Sequence, residues 1–329
     1  MRPGRLAATV VAALMLVSAA LLVPLPYFLE TPGSVVGLND RLQVEAPSVE
    51  PIDGDFLFTT VQLQRATLAQ LVAAWFDPDT AVVSADEVIP PRLSDAAYFA
   101  HQQVIFEQSA RRGAAVGLRA AGYAIGPEAF GGEGALVVDV MPGSPAEDAL
   151  LLGDVILEVD GKRIETDDAL RGSVLAQPLR LTVRRAGRLT DVEVTPRPSP
   201  DQPERPVLGI LVMTHNATID LPVPVTVDTG GTGGPSAGLM IALAVFDKVD
   251  PVDLAGGRLI AGTGTITFDG TVGLISGITQ KVLAADRQGI DVFLAPQEQL
   301  AEARQGVPAG SDLRVIGVAT FDEALRALR

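Results

Sequence analysis

The sequence contains no cysteine, and its 25 basic residues comprise only three lysines beside 22 arginines. Without cysteine the chain forms no disulfide, holds no thiolate-bound metal and has no cysteine nucleophile. Of the two histidines, His101 lies among alanines and glutamines, so we interpret it as a surface helix residue. A lone histidine makes a poor metal site, and we expect neither a metal nor a cofactor.

Basic residues are also outnumbered, because 40 acidic residues face 25 basic ones and give the 329-residue chain a net charge of -15. The acidic residues are scattered along the chain, which is typical of a soluble acidic body. Nucleic acid and anionic lipid headgroups would repel such a body, so neither is an expected partner. The length allows two or three compact units.

The N-terminal sequence is uncharged over residues 6–29, behind two arginines among the first five residues. This run is long enough to cross the ~30 Å hydrocarbon layer of a membrane. It predicts an N-terminal transmembrane helix within residues 1–29, with the arginines in the cytoplasm and everything after Glu30 on the outer face of the cell membrane. A cleaved signal peptide is the alternative, favoured by the small residues Ser18 and Ala20.

The region 30–122 is predicted to be mixed α/β. Residues 56–63 are typical of a strand, whereas Leu68, Leu71, Val72 and Trp75 follow the spacing of an amphipathic helix. A second helix is predicted to begin near Ser94. Together with the regions below, this predicts a multidomain protein of α/β and α+β class.

Residues 123–196 predict a β-rich domain with strands at 135–140, 154–159, 179–184 and 191–194. Asp160-Gly161 is a tight-turn dipeptide. Val-Val-Asp-Val at 137–140, Gly-Ser-Pro-Ala at 143–146 and Leu-Gly-Asp-Val-Ile at 152–156 resemble the PDZ domains of bacterial proteases. This resemblance implies that an extended peptide adds to a sheet edge, with main-chain amides holding its carboxylate.

Residues 197–206 are rich in proline and predict a stiff linker. The last domain, residues 207–329, is predicted to be α/β. Strand-like sequence at 207–213, 223–227, 258–268 and 292–295 alternates with helices after Pro235, through Lys281 and from Phe321.

A glycine-rich stretch at 230–238 leads into an apolar helix and contains Ser236. A serine there could attack a carbonyl while a backbone loop formed by Gly233, Gly234, Pro235 and Ala237 holds the oxyanion. Ser236 could instead only cap the helix. A phosphate-binding P-loop is excluded, because none of the three lysines is followed by Ser or Thr.

Spacing alone leaves the general base open between His215 and Lys281. The Gly-x-Ser-x-Gly pattern of α/β-hydrolases needs a histidine after the serine, and none follows Ser236. His215 stays open as a base, because triads are defined by geometry. Lys281 lies on an apolar helical stripe beside Ile278, where burial would lower its pKa. The alternative is a lysine that only covers apolar surface with its stem.

A second family resemblance favours Lys281 over His215 as the general base. Gly-Pro-Ser-Ala-Gly at 234–238, Gly-Thr-Gly-Thr-Ile-Thr-Phe-Asp-Gly-Thr-Val at 262–272 and Ile-Ser-Gly-Ile-Thr-Gln-Lys-Val-Leu-Ala-Ala at 275–285 resemble the proteolytic domain of Lon proteases. The resemblance implies a Ser-Lys dyad of Ser236 and Lys281, supported by Thr263. Gly233 replaces the family's usual aspartate, and the run 276–281 departs from its Gly-Gly-x-Lys-Glu-Lys pattern.

The order of anchor, PDZ and Lon-type domain resembles the membrane-anchored PDZ–Lon proteins of Gram-positive bacteria. It implies an ATP-independent serine endopeptidase that acts on protein or peptide substrates. The competing expectation is a non-catalytic binding scaffold with the same fold. The oligomeric state, including a homo-oligomer, stays open.

Overall fold

The computed structural model describes residues 22–89, 95–141, 143–175, 177–198 and 206–329. Its strands are β1 Pro24–Gly37, β2 Leu42–Val44, β3 Asp55–Thr67, β4 Ala81–Ser84, β5 Phe130–Gly131, β6 Ala135–Val140, β7 Val155–Val159, β8 Lys162–Arg163, β9 Leu179–Arg185, β10 Arg188–Val194, β11 Arg197–Pro198, β12 Pro206–Val207, β13 Ile210–Thr214, β14 Thr218–Ile219, β15 Val225–Val227, β16 Leu259–Gly262, β17 Thr265–Ile266, β18 Val272–Gly273, β19 Val292–Pro296 and β20 Arg314–Val318. Its α-helices are α1 Leu68–Ala74, α2 Ala85–Val88, α3 Asp95–Ala120, α4 Asp167–Ser173, α5 Gly238–Val249, α6 Ile278–Arg287, α7 Leu300–Gln305 and α8 Phe321–Leu328.

The chain folds into two compact units, and the second interrupts the first in sequence. Unit 1 combines the chain up to Ala121 with Val225–Arg329, and unit 2 is Gly122–Pro224. The boundaries therefore differ from those expected from the sequence. The region 30–122 is not a separate domain, because its strands and its long helix complete the unit that contains Ser236.

A six-stranded mixed sheet with the order β20-β19-β16-β3-β1-β4 forms the centre of unit 1. The parallel pairing of β3 with β16 joins the two sequence segments, with Phe56 opposite Ile260 and Phe58 opposite Gly262. Phe56, Phe58 and Ile260 are fully buried. Burial of these apolar side chains stabilises the association of the two segments that precede and follow unit 2 in the sequence.

Helix α3 packs closely on α5 through glycines. A Cβ added at Gly113 would lie 2.5 Å from the carbonyl oxygen of Gly238, and one at Gly117 would lie 2.4 Å from that of Ala242. Only glycine allows backbones to approach so closely. Residues 238–247 of α5 are buried in turn. The predicted helix near Ser94 is confirmed as α3, although Ser94 itself lies outside the described residues.

Unit 2 is a β-rich domain whose main sheet has the order β10-β9-β7-β6-β13. The four strands predicted at 135–140, 154–159, 179–184 and 191–194 are confirmed as β6, β7, β9 and β10. The predicted turn is also confirmed, since Asp160 and Gly161 both have positive φ between β7 and β8. Buried Asp154 accepts two hydrogen bonds from Arg185, of 2.9 and 2.6 Å.

Two boundary predictions need correction in this part of the chain. The sequence at 207–213, predicted to open the last domain, contributes β13, which pairs with β6 of unit 2. The ends of the predicted linker pair with each other as β11 and β12. Residues 199–205 of that linker lie outside the described residues.

The predicted membrane helix is wrong over residues 24–29, because these residues begin β1. Phe28 is opposite Arg65 of β3 and Val83 of β4, and its side chain is buried. Residues 1–21, which hold most of the predicted span, lie outside the described residues. Within the described ranges, no helix combines the length and the apolar character that crossing a bilayer requires.

Candidate active site

Ser236 lies in a short 3-10 turn, Pro235–Ala237, at the entrance to α5. Gly234 precedes it with a φ of 90°, a conformation that residues with side chains rarely adopt. Ala237 occupies the N-cap position of α5, so Ser236 does not cap this helix. The hydroxyl group of Ser236 is instead directed to a lysine, as described below.

Helix α3 fixes the loop in front of Ser236. The backbone N–H of Gly234 donates to the carbonyl of Gln102 at 2.8 Å, and the hydroxyl of Ser109 donates to the carbonyl of Pro235 at 2.7 Å. A Cβ at Gly233 would lie 2.8 Å from the Cβ of Gln102. Sequence analysis missed this support, because α3 lies more than a hundred residues before the loop.

Of the four loop residues predicted to hold an oxyanion, two do not have a free N–H to offer. Gly234 already donates to α3, and proline has no backbone N–H. Gly233 and Ala237 remain as candidates. Pro235 and Gly234 shape the loop through their contacts with α3.

Thr263 follows directly after β16, at the carboxyl end of a parallel strand. The N–H of Gly264 donates to the carbonyl of Ser236 at 2.8 Å, and the N–H of Leu239 donates to the carbonyl of Gly264 at 3.2 Å. Thr263 Oγ1 also donates to the Ser236 carbonyl at 3.2 Å. These bonds join the end of β16 to the start of α5 and bring buried Thr263 to Ser236.

Lys281 lies in the first part of α6 and reaches the same point. Its Nζ donates to Ser236 Oγ at 2.6 Å and to Thr263 Oγ1 at 3.1 Å. Lys281 is only 3% exposed, so its ammonium group is not in water. The structure therefore brings together the three side chains expected from the sequence, Ser236, Lys281 and Thr263.

Burial lowers the pKa of Lys281 from 10.5 to about 7, because the apolar surroundings disfavour the charged form. The carboxylate of Glu30 acts in the opposite direction. Burial in turn raises the pKa of Glu30, with Lys281 opposing and Glu302 adding to the increase. A lysine with a pKa near neutrality can take up a proton from a hydroxyl group and return it.

Glu30 is a site residue that sequence analysis missed. It lies on β1, one residue beyond the membrane helix predicted for residues 1–29, and its side chain is buried. Gly277, the N-cap of α6, has a φ of 67°, and a Cβ there would lie 2.1 Å from Glu30 Oε1. Glu30 therefore packs on the N-cap residue of the helix that carries Lys281.

A cavity of about 740 Å³ opens beside Ser236 and Lys281. Its walls include apolar and aromatic side chains of β3 and α3, among them Phe58, Val61 and Phe99, and Ile275 near α6. The loop 230–237 forms another wall. The arrangement offers a recess with apolar and polar walls next to a serine hydroxyl group.

The two histidines occupy different units. His101 lies on α3 as predicted, but it is partly buried, and burial lowers its pKa. His215 follows β13 in unit 2, where its backbone N–H donates to Gly134 and its carbonyl accepts from Glu133, each at 2.8 Å. The interpretation of His215 as a loop residue without a catalytic role stays a prediction.

Comparison with protein families supports both resemblances. Residues 213–328 match the model of the Lon protease (S16) C-terminal proteolytic domain, and residues 136–185 match a PDZ domain model. A PDZ domain of an SdrC-like protein from Listeria innocua is similar to 25% of this chain, at 20% identity over 97% of that structure and a TM-score of 0.22.

Similar curated proteins are Lon proteases. That of Lachnoclostridium phytofermentans is 38% identical over 96 residues, which are 28% of this chain and 11% of the relative. That of Methanosarcina barkeri is 35% identical over 113 residues, which are 32% of this chain and 13% of the relative. That of Rickettsia prowazekii is 33% identical over 94 residues, 28% of this chain and 12% of the relative. The chain thus spans about an eighth of the length of these relatives.

The contact between Glu30 and Gly277 can be measured with a pair of glycine substitutions on α6. Gly277→Ala and Gly289→Ala both place a side chain at positive φ, with φ values of 67° and 68°. A Cβ at position 277 would meet both Glu30 and Val61, whereas Gly289 has open space around it. We expect urea unfolding to show a loss of roughly 1 kcal/mol for Gly289→Ala and about 1–3 kcal/mol more for Gly277→Ala. Equal losses would mean that Glu30 does not pack on α6 in this way.

Proposed function

We propose that this protein is a serine endopeptidase in which Ser236 is the nucleophile and Lys281 the general base. The observation that carries the proposal is the 2.6 Å contact between Lys281 Nζ and Ser236 Oγ, made by a buried lysine beside a cavity. The match of residues 213–328 to the Lon proteolytic domain model supports the same chemistry.

In the proposed acylation step, a peptide carbonyl lies next to Ser236 Oγ. Neutral Lys281 takes the hydroxyl proton while Oγ forms a bond to the carbonyl carbon. Backbone N–H groups near Gly233 and Ala237 are the proposed donors to the oxyanion. The lysine then gives the proton to the leaving amine, and the peptide bond breaks to leave an acyl-enzyme.

In deacylation, water attacks the acyl carbon while Lys281 accepts a proton from it. The ester bond to Ser236 Oγ then breaks to release the acid product, and Lys281 returns the proton to Oγ. Thr263 has a positioning role in this scheme. Its Oγ1 accepts a hydrogen bond from Lys281 Nζ and donates one to the backbone carbonyl of Ser236. These two bonds hold the amine of Lys281 next to Ser236. The apolar walls of the cavity favour substrates with an apolar side chain beside the cleaved bond.

We further propose that catalysis needs no nucleotide hydrolysis by this chain. Each of its three lysines is followed by Arg or Val, so the sequence holds no Walker A loop to bind ATP phosphates. Substrates would then reach the site as unfolded segments or exposed ends.

The dyad is tested by matched lysine substitutions. Lys281→Arg and Ser236→Ala should each lower kcat/KM on a reporter peptide by roughly a thousandfold or more, because arginine stays charged and cannot accept the proton. Lys248→Arg is the matched control, since this lysine lies at the other end of α5, and it should retain activity. In the parent protein, kcat/KM should rise about tenfold per pH unit up to about 7, where Lys281 loses its charge, and then level off.

A fluorophosphonate probe separates this proposal from a non-catalytic scaffold. The parent protein should be labelled at Ser236, and Ser236→Ala should not be labelled. Loss of activity in His215→Ala with near-normal turnover in Lys281→Arg would assign the base role to histidine.

We propose that the PDZ-like part of unit 2 captures the free C-terminal end of substrates. The match of residues 136–185 to a PDZ model supports this role, because PDZ domains add an extended peptide to a sheet edge. Amidating the C-terminus of a long peptide substrate should raise KM and leave kcat unchanged. The same change in a reporter too short to occupy both sites should have no effect. Equal KM values for the long acid and amide would contradict the proposal.

We also propose that residues 6–23 anchor the protein, with both units on the outer side of the cell membrane. The uncharged sequence behind Arg2 and Arg5 supports this orientation. Protease added to intact cells should degrade the units and leave a tag at Met1 protected. Protection of both parts would rule out the outward orientation, and release of the mature protein without the tag would indicate a cleaved signal peptide.

A further inference from the structure

Helix α1 presents an apolar face that the described residues of unit 1 leave uncovered. The amphipathic spacing predicted for this helix is present, but none of its residues is buried. Leu68 and Val72 are exposed, and Trp75 and Phe76, which follow the helix, are 87% and 82% exposed. Residues 66–76 carry no charge. Positions 68, 72 and 75 fall on one face of a helix, so the exposed groups form a continuous apolar stripe.

The stripe begins beside the end of the N-terminal apolar run. Pro24, at the start of β1, is paired with Thr67, and Thr67 is the N-cap residue of α1. Leu22 and Val23, just before Pro24, are exposed as well. The chain therefore passes directly from the apolar sequence at residues 6–23 to the strand that lies against α1.

This adjacency sets the depth of α1 in the proposed anchored protein. Paired strands lie about 5 Å apart, and a helix of seven residues is about 10 Å long. The interfacial layer of a bilayer extends about 5–8 Å beyond the hydrocarbon on each side. If the apolar run ends at the hydrocarbon boundary, Thr67 and the start of α1 fall at the level of the headgroups.

We propose that α1 and the Trp75–Phe76 tip lie in the headgroup layer of the membrane, as a second contact beside the anchor. The inference rests on the anchor given under Proposed function. Tryptophan suits this layer, because its ring is apolar while its N–H can bond to water or lipid oxygen. The contact is apolar rather than electrostatic, since the chain has a net charge of -15 and the stripe has none.

The chain provides its own probe, because Trp75 is its single tryptophan. The full chain would be reconstituted in phosphatidylcholine vesicles, and insertion would be verified by flotation after alkaline extraction. Trp75 emission should then lie further to the blue than in a free indole side chain. Lipid brominated near the headgroup should quench it, more strongly than lipid brominated near the chain ends. Both effects should persist at high salt, as an apolar contact requires.

Matched variants separate the stripe from the anchor. Phe76→Asp places a charge in the stripe and should shift Trp75 emission to the red and reduce quenching, while flotation is unchanged. Val252→Asp alters another exposed apolar residue of unit 1, in the loop between α5 and β16, and should change neither signal. This loop bonds to Asp53 and Asp55 at the start of β3, whereas α1 follows the end of β3. A Trp75→Phe, Val252→Trp protein moves the probe to this loop, where no lipid quenching is expected.

Three results would overturn the inference. A floating protein whose Trp75 emission is red and unquenched places the stripe in water. Blue emission without lipid quenching means that protein covers Trp75, from a second copy or from the chain itself. Protein that does not float with the vesicles contradicts both the proposed anchor and this contact. The flotation assay by itself identifies this outcome.

Discussion

The burial of one lysine is the constraint on which the proposed chemistry depends. An ordinary lysine with a pKa near 10.5 is neutral in only about one molecule in 3,000 at pH 7, whereas a pKa of about 7 leaves about half of the molecules neutral. The difference corresponds to roughly 5 kcal/mol of disfavoured charge. The core that contains Ile278, Val282 and Phe293 provides this free energy, because it holds α6 in place with Lys281 out of water.

The same constraint explains why unit 1 is built from two distant segments. The segment after unit 2 supplies Ser236, Thr263 and Lys281, but the segment before it supplies their surroundings. Helix α3 holds the loop in front of Ser236 through Gln102 and Ser109, and β1 places Glu30 beside Lys281. Unit 2 is inserted between these segments in sequence, so unit 1 is complete only when both segments have folded together.

The sequence predicted many of the local elements. The strands of unit 2 follow from alternation and turn chemistry. The glycine-rich loop made Ser236 a candidate, whereas spacing left the base open and the resemblance to Lon proteases favoured Lys281. The structure places the two side chains in contact. The pairing of β3 with β16 could not be predicted, because it joins residues about two hundred positions apart and leaves no local pattern. Glu30 was missed for the same reason. The apolar sequence around Phe28 was assigned to a membrane helix, since a buried strand and the end of a span share the same composition. Trp75 matched the spacing of a buried helix face, although the structure leaves that face exposed.

The ionisation of Lys281 tests the account most directly. With 13C at the Cε position of lysine, the protein should give three side-chain signals, one for each lysine. The signal missing in Lys281→Arg identifies the site, and its chemical shift can be followed against pH in the absence of substrate. The account predicts a titration midpoint of about 7. A midpoint near the ordinary value of 10.5 would show that Lys281 is charged at neutral pH and would contradict its role as the base.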